Sequence, residues 1–301
     1  MLIALALIWG SSFLFIKVAV RELTPATLIV GRLGLSAITL GLLVPFVVGS
    51  RETLRQLRAN WVWLVVVALV NTAIPFWLLS WGETRIDSGL ASIIQAAVPI
   101  FNALIAFVAF REVRVTGSRL LGVGVGFVGV ALLVGAQPEG KILGALAVVG
   151  MAFCYGLGGL LSGRYLHAAR PLVVSFASTA IATLVWLPVG VAEAPGHMPS
   201  WKTIGCVVAL GVPGTALAYL LFFGLITGAG AAYASLVTYL IPPIALAYGA
   251  VFLNERFGAY AFGGLALILG GVALGTGAVS VARFRALAPW GKPGFPHEPP
   301  R

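Results

Sequence analysis

The chain alternates long apolar runs with short polar intervals, and the runs are too long for strands or for the helices of a soluble core. No Asp, Glu, Lys or Arg occurs in 1–16, 33–50, 59–82, 88–110, 120–138, 142–163, 171–192, 203–254 or 257–282. A membrane-spanning helix needs about 20 apolar residues, with a range of about 17–25. Eight of these nine stretches fit one helix each; the 52-residue stretch fits two, broken at Ile226-Thr227-Gly228-Ala229-Gly230. The pattern predicts an all-α integral membrane protein with ten transmembrane helices, near 2–20, 27–48, 61–82, 88–110, 119–135, 142–163, 171–193, 201–225, 231–252 and 259–279. A closed β-barrel, the other structure that can cross a bilayer, would alternate apolar and polar residues instead. The first run has neither a basic start nor an A-x-A-like cleavage site, so it reads as helix 1 and not as a signal peptide.

Matches at a near-constant offset divide the chain in two. Pro99 corresponds to Pro242 and Glu112 to Glu255, both 143 residues apart, as are Ala91-Ser92 and Ala234-Ser235. Gly122, Val130-Ala131-Leu132 and Gly135 correspond to Gly264, Val272-Ala273-Leu274 and Gly277 at an offset of 142, and Gly82 to Gly224 at the same offset. Gly10 and Gly156 are 146 apart, as are Pro25 and Pro171. These matches predict two five-helix repeats, 1–135 and 142–279, followed by a disordered, proline-rich cytoplasmic tail at 280–301. Because five is odd, the copies enter the membrane from opposite sides, which makes an inverted-topology repeat, a known architecture of secondary transporters.

Composition narrows the class further. Only 9% of residues are charged and 60% are apolar, with a mean hydropathy of +1.04; soluble domains carry about 25% charged residues. A soluble enzyme, a disordered protein and a nucleic-acid-binding domain are excluded on that ground. The net charge of +10 is explained by topology. With the N-terminus inside, the inner segments hold Arg51, Arg55, Arg58, Arg111, Arg114, Arg119, Arg164, Arg170, Arg283, Arg285, Lys292 and Arg301. The outer segments and helix ends hold Lys17, Arg21, Arg85, Lys141, Lys202 and Arg256. That bias predicts both termini in the cytoplasm. Cys154 and Cys206 fall inside helices and read as small core residues.

Polar side chains at mid-membrane depth mark where a solute could sit, since lipid cannot satisfy them. Helix 4 carries Ser88, Ser92, Gln95, Pro99 and Asn102 at spacings that share one helical face. Helix 9 repeats the theme with Ser235, Thr238 and Pro242, next to Tyr239. Asn71 and Pro75 lie in helix 3, Pro213-Gly214, Thr215 and Tyr219 in helix 8, Tyr155 in helix 6, and Trp9 and Ser12 in helix 1. Two readings stand for the stripes: hydrogen bonds between helices, or the lining of a substrate cavity with polar anchors and aromatic walls. The substrate-binding candidates are Trp9, Ser12, Asn71, Ser92, Gln95, Asn102, Tyr155, Tyr219, Ser235, Thr238 and Tyr239. Pro75, Pro99, Pro213 and Pro242 each remove a backbone donor and are hinge or gating candidates.

No acid lies at mid-membrane, so the cavity is expected to be uncharged and a central proton-exchanging carboxylate is absent. Arg32 is the one deeply placed charge: it can snorkel outward, pair with Glu83 or Asp87, or bind a substrate carboxylate. Arg32, Glu83, Glu112 and Glu255 are read as structural charges. An intramembrane zinc protease would need paired histidines such as H-E-x-x-H, and aspartyl or serine proteases need mid-membrane Asp, His or Lys partners; none is present. No enzyme, cofactor or metal is expected. The spacings Gly122-x3-Gly126 and Gly271-x3-Gly275 allow close helix packing, either within the chain or in a dimer.

These residues resemble the drug/metabolite transporter superfamily, in its EamA-type ten-helix branch. Each half opens with a small-residue helix, Trp9-Gly10-Ser11-Ser12-Phe13 in the first. Each half has a proline in its fourth helix, a glutamate at that helix's end and then a glycine-rich helix. The resemblance covers about 1–280, and YddG-like amino-acid exporters are similar in length and layout. The sequence departs from the common Gly-Glu form, with Arg111 before Glu112 and Asn254 before Glu255. The resemblance implies a multi-pass transporter of the bacterial inner membrane, in contact with lipids, a monomer or weak homodimer. It implies alternating-access export of small metabolites, amino acids first, with other metabolites, drugs or lipid-linked substrates as the alternatives.

Overall fold

The computed structural model describes residues 1–110 and 117–275. Glu112 and the tail at 280–301 lie outside the described residues. The described chain is helical throughout. In order the α-helices are α1 (Leu2–Ala19), α2 (Pro25–Val47), α3 (Ser50–Ala59), α4 (Trp61–Ala68), α5 (Ile74–Glu83), α6 (Ser88–Gln95), α7 (Val98–Ile105), α8 (Ser118–Gly135), α9 (Glu139–Tyr165), α10 (Pro171–Ala192), α11 (Trp201–Gly211), α12 (Ala218–Ala229), α13 (Ala231–Ala234), α14 (Val237–Leu253) and α15 (Ala259–Gly275). A π-helical segment, Leu69–Ala73, joins α4 to α5; a second, Val212–Leu217, joins α11 to α12; a third, Ala106–Phe110, follows α7.

Among the described residues, seven apolar helical segments are long enough to cross a membrane, some with irregular turns inside them: Leu2–Ala19, Pro25–Val47, Trp61–Glu83, Ser88–Ala109, Glu139–Tyr165, Pro171–Ala192 and Trp201–Ala229. Leu120–Gly135, Val237–Leu253 and Ala259–Gly275 are apolar but shorter. Large apolar side chains stay on the outside, as Ile38, Leu42 and Phe46 do along one face of α2. Contiguous exposed apolar surface of this kind suits lipid rather than water. The short helix α3, where a loop was expected, is different: its charges face out while Thr53 and Gln56 are buried, and Gln56 Oε1 accepts from Arg170 N at 2.8 Å.

Local chemistry sets the helix starts. Pro25 and Pro171 stand at the first positions of α2 and α10, where a missing N–H costs nothing. Thr24 and Ser200 cap α2 and α11, each accepting from a backbone N–H three residues on at 3.3 Å. The end of α14 is made by Asn254 in the left-handed conformation (φ 55°), with Glu255 N bonded back to Gly249 O at 3.0 Å. Asparagine tolerates this backbone where a branched residue does not, so the turn survives without the glycine of the common motif. Asn254→Gly is expected to leave the melting temperature (Tm) unchanged or slightly higher. Asn254→Val is expected to cost about 1–2 kcal/mol, read as a lower Tm of the detergent-solubilised protein.

The tertiary pairing runs between the first and second halves of the chain. α2 lies along α10 and α8 along α15; α1 crosses α14, and α9 crosses α6 and α7. Close approach at the crossings depends on glycines. A Cβ on Gly10 would lie 2.5 Å from Ile244 Cγ2 and 3.6 Å from Ala245 N; on Gly156 it would lie 3.1 Å from Phe101 Cβ and 2.9 Å from Asn102 N. Ile244 and Ala245 follow Phe101 and Asn102 by 143 residues, so the two crossings use corresponding positions. The α8–α15 contact repeats this: Gly271 faces Gly122 O and Gly129 faces Gly264 O, at 2.6 and 3.1 Å from the missing Cβ atoms.

Candidate functional site

A cavity of about 340 Å³ lies between these crossings. α1 contributes Trp9, Ser12, Phe13 and Ile16; α2 contributes Arg32; α5 contributes Phe76 and Leu79. Gln95 of α6, Val98 of α7, Tyr155 of α9, Tyr219 and Phe222 of α12, and Thr238 and Ile241 of α14 complete the walls. The remaining lining residues come from the π segments: Asn71 from the first, and Gly214 and Thr215 from the second. The second π segment starts 143 residues after the first, at Val212 against Leu69. A π turn adds a residue to the helix and redirects its side chains, which is why such turns recur at functional sites.

Seven of the substrate-binding candidates, Trp9, Ser12, Asn71, Gln95, Tyr155, Tyr219 and Thr238, therefore share one cavity. Four do not reach it. Ser92 is fully buried and its Oγ donates to Gly89 O at 2.6 Å. Asn102 Nδ2 donates to Gly156 O at 3.4 Å, at the α7–α9 crossing. Ser235 is exposed in the turn between α13 and α14, and Tyr239 packs half-buried against the main apolar core. The expected stripe on helix 4 is divided because the helix is interrupted at Ala96–Ala97. Beyond that break the 3.6-residue count no longer holds the same face.

The hinge candidates sit at irregular backbone or beside it. Pro75 is the second residue of α5, just after the first π segment, and Pro213 lies inside the second. Pro99 is the second residue of α7, after the interruption, and lines a separate void of about 30 Å³ between α7, α8 and α15. Pro242 is buried inside α14 next to Pro243. Trp186 Nε1 donates to Ala73 O at 3.0 Å, tying α10 to the end of the first π segment, and its ring stacks on Trp77 at 5.6 Å.

Arg32 corrects the expectation of an uncharged cavity. It is 7% exposed and forms part of the wall. Its Nε donates to Thr215 Oγ1 at 3.2 Å, and its guanidinium carbon stands 4.5 Å from the centre of the Phe76 ring. The guanidinium therefore does not snorkel to the surface, and it does not pair with Glu83 or Asp87. Among the described residues the one ion pair is Arg55–Glu52, at 2.8 Å on the surface. Gly211 holds the backbone of α2 close, since a Cβ there would lie 2.8 Å from Arg32 O. Thr215, its partner, was legible in the sequence as a mid-depth hydroxyl one turn from Tyr219, but nothing local ties it to Arg32.

A second polar cluster lies one turn beyond Leu79, where α1 and α5 end and α6 begins. Lys17 Nζ donates to Glu83 O and Ile86 O at 2.6 and 2.7 Å. Glu255 grips the start of α6: Oε1 accepts from Ser88 N at 2.8 Å, and Oε2 accepts from Ser88 Oγ at 3.0 Å and Gly89 N at 3.1 Å. An acceptor at these free N–H groups is favoured by the helix dipole as well. Glu83 is fully buried, and among the described residues neither of its carboxyl oxygens has a hydrogen-bond partner. On the surface, Glu22 accepts from Ser200 N and Oγ at 2.8 and 2.6 Å, and these bonds hold its carboxyl below the usual glutamate range.

Comparison with known proteins gives these helices a family. The EamA-like transporter family matches residues 1–135 and 142–276. A probable terminal-alkyne amino-acid exporter of Streptantibioticus cattleyicolor is 26% identical over 274 residues, which cover 88% of this chain and 89% of that protein. A probable amino-acid metabolite efflux pump of Escherichia coli is 26% identical over 284 residues, covering 88% and 90%. An uncharacterized transporter of Archaeoglobus fulgidus is 25% identical over 272 residues, covering 88% and 93%. A crystal structure with a TM-score of 0.65 and 18% identity covers 95% of this chain and 97% of the other, and so shares the fold.

Proposed function

Because the chain belongs to the EamA-like transporter family, a family of membrane transporters, we propose that it exports small metabolites, amino acids first, by alternating access through the central cavity. The observation that carries this reading is the cavity itself: about 340 Å³, walled by aromatic rings and a few polar anchors from both halves of the chain. That volume and lining suit a single small solute. Two relatives named as exporters of amino acids or their metabolites support the substrate class.

Alternating access in this reading is the rocking of two inverted five-helix repeats, with the seven long and three shorter apolar helices making ten spans across the bacterial inner membrane. Support comes from the corresponding use of Gly10 and Gly156, and of Gly122–Gly271 and Gly264–Gly129. The π segments at matching positions support it too, because their irregular backbone lies beside the cavity, where discontinuous helices bind solute in transporters. Both termini are assigned to the cytoplasm on the distribution of basic residues.

Purified protein in liposomes is expected to move labelled neutral amino acids, and Gln95→Ala or Tyr155→Ala to reduce the initial rate about tenfold or more, with Tm little changed in Gln95→Ala and lowered in Tyr155→Ala, whose ring packs edge-on to Phe76 at 6.3 Å. Transport of another solute class, with none of a broad amino-acid panel moved, would reject the substrate assignment. Equal loss of rate and of folded protein in both variants would reject the binding role of these two side chains.

A further inference from the structure

We infer that Arg32 and Thr215 form a subsite for a solute carboxylate, and that the transported class is small monocarboxylates in which an ammonium group is dispensable. The inference rests on reading the cavity as the solute site. Arg32 is buried but belongs to the cavity wall. A buried cation without a counter-charge is costly, and no carboxylate lies within 4.0 Å of this one among the described residues. A solute anion removes that cost.

The geometry leaves the recognition edge of the guanidinium available. Its Nε is used on Thr215 Oγ1, whereas Nη1 and Nη2 have no acceptor among the described residues. Thr215 is itself oriented, because its hydroxyl donates to Leu210 O at 2.8 Å and so presents a lone pair to Arg32. Phe76 covers one face of the guanidinium at 4.5 Å. A planar fork fixed in this way matches a carboxylate through two parallel hydrogen bonds.

The other end of the solute meets no such partner. The described cavity wall contains no Asp or Glu. An ammonium group would find only neutral acceptors, Gln95, Asn71 and tyrosine hydroxyls among them. Removing the carboxylate forfeits a charge-assisted pair and leaves a buried cation unmatched; removing the ammonium forfeits neutral hydrogen bonds.

Calorimetric titration of the purified full-length protein tests this with four probes that share one side chain: L-leucine, its keto acid, isoamylamine and leucinamide. The two carboxylates are expected to bind within about fivefold of each other, and the amine and amide at least about tenfold more weakly. Arg32→Gln is expected to erase that preference, and Arg32→Lys to restore part of it, at nearly unchanged Tm. Amine or amide binding as tight as that of leucine would overturn the inference, as would a carboxylate preference that survives in Arg32→Gln. Should Arg32→Gln fail to fold, Thr215→Val reports instead: it keeps the cation and frees its orientation, so weakening of the carboxylates alone supports the subsite and equal weakening of all four probes overturns it. Carboxylate binding that depends on Arg32 in protein that moves none of these probes across a liposome membrane would sink the export reading and leave the anion subsite standing.

Discussion

Gly122→Ala and Gly271→Ala are each expected to destabilise the protein by about 3 kcal/mol, the upper part of the range for overpacking, and so to deplete the monodisperse fraction after extraction. A Cβ on Gly122 would lie 2.5 Å from Gly275 N and 2.6 Å from Gly271 O; one on Gly271 would lie 2.6 Å from Gly122 O and 2.6 Å from Gly126 N. All four atoms are backbone, so no rotamer change relieves the clash and the two helices must part. Parting forfeits dispersion contacts along the whole seam, and contacts of this kind hold helices together where the lipid is as apolar as the side chains. Among the described residues nothing lies within 4 Å of where a Cβ on Gly124, on the same helix, would sit, so Gly124→Ala is the control and is expected to be neutral. Thermal unfolding in detergent and the size-exclusion profile check the three variants together. Equal behaviour of Gly122→Ala and Gly124→Ala would show that the seam is not close-packed as described.

Glu255→Ala is expected to cost about 2–4 kcal/mol. It removes three hydrogen bonds from a carboxylate, each worth about 1.5–3 kcal/mol in favourable cases, and leaves the N–H groups of Ser88 and Gly89 without an acceptor at the start of α6. Glu255→Gln keeps one acceptor oxygen but turns an amide donor toward a donor, so an intermediate Tm is expected. Because the grip of Glu255 on α6 lies one turn beyond the cavity, the Ala variant is also expected to leak solute down its gradient in liposomes. Glu83→Gln gives the contrast: its carboxyl oxygens have no hydrogen-bond partner among the described residues, and an isosteric amide therefore removes no bond. A Tm for Glu83→Gln as low as that of Glu255→Ala would refute this account of the cluster.

The apolar runs were legible because they answer to one strong constraint. Lipid offers the backbone no hydrogen bonds, so each run must be helical and about as long as the bilayer is thick. The run expected at 2–20 is Leu2–Ala19, and that at 171–193 is Pro171–Ala192. The kink positions were legible in part: Pro75 and Pro213 pointed to helices 3 and 8, where the π segments lie. The π turns themselves were not, because the extra residue is a response to packing and a proline marks only where it can be accommodated. Within α6 the helix 4 stripe misled at Ser92 because the fully buried hydroxyl bonds back to Gly89 O; at Asn102 it misled because the backbone answers to packing. Spacing rules assume one unbroken helix, and this one is interrupted between Gln95 and Val98.

By itself the sequence determined that the chain is helical in long apolar runs, the scarcity of charge within them and the matched spacing of residues such as Pro99 and Pro242. Each of these depends on short-range chemistry or on composition. Tertiary structure alone decided which polar side chains share the cavity and what Arg32 meets there. Its partner Thr215 is 183 residues away, its ring neighbour Phe76 comes from a different helix, and the bond exists only because Gly211 lets α11 approach α2. A cation on one helix is surface, ion pair or ligand site according to what three other helices place around it, and helix periodicity carries no information about that arrangement.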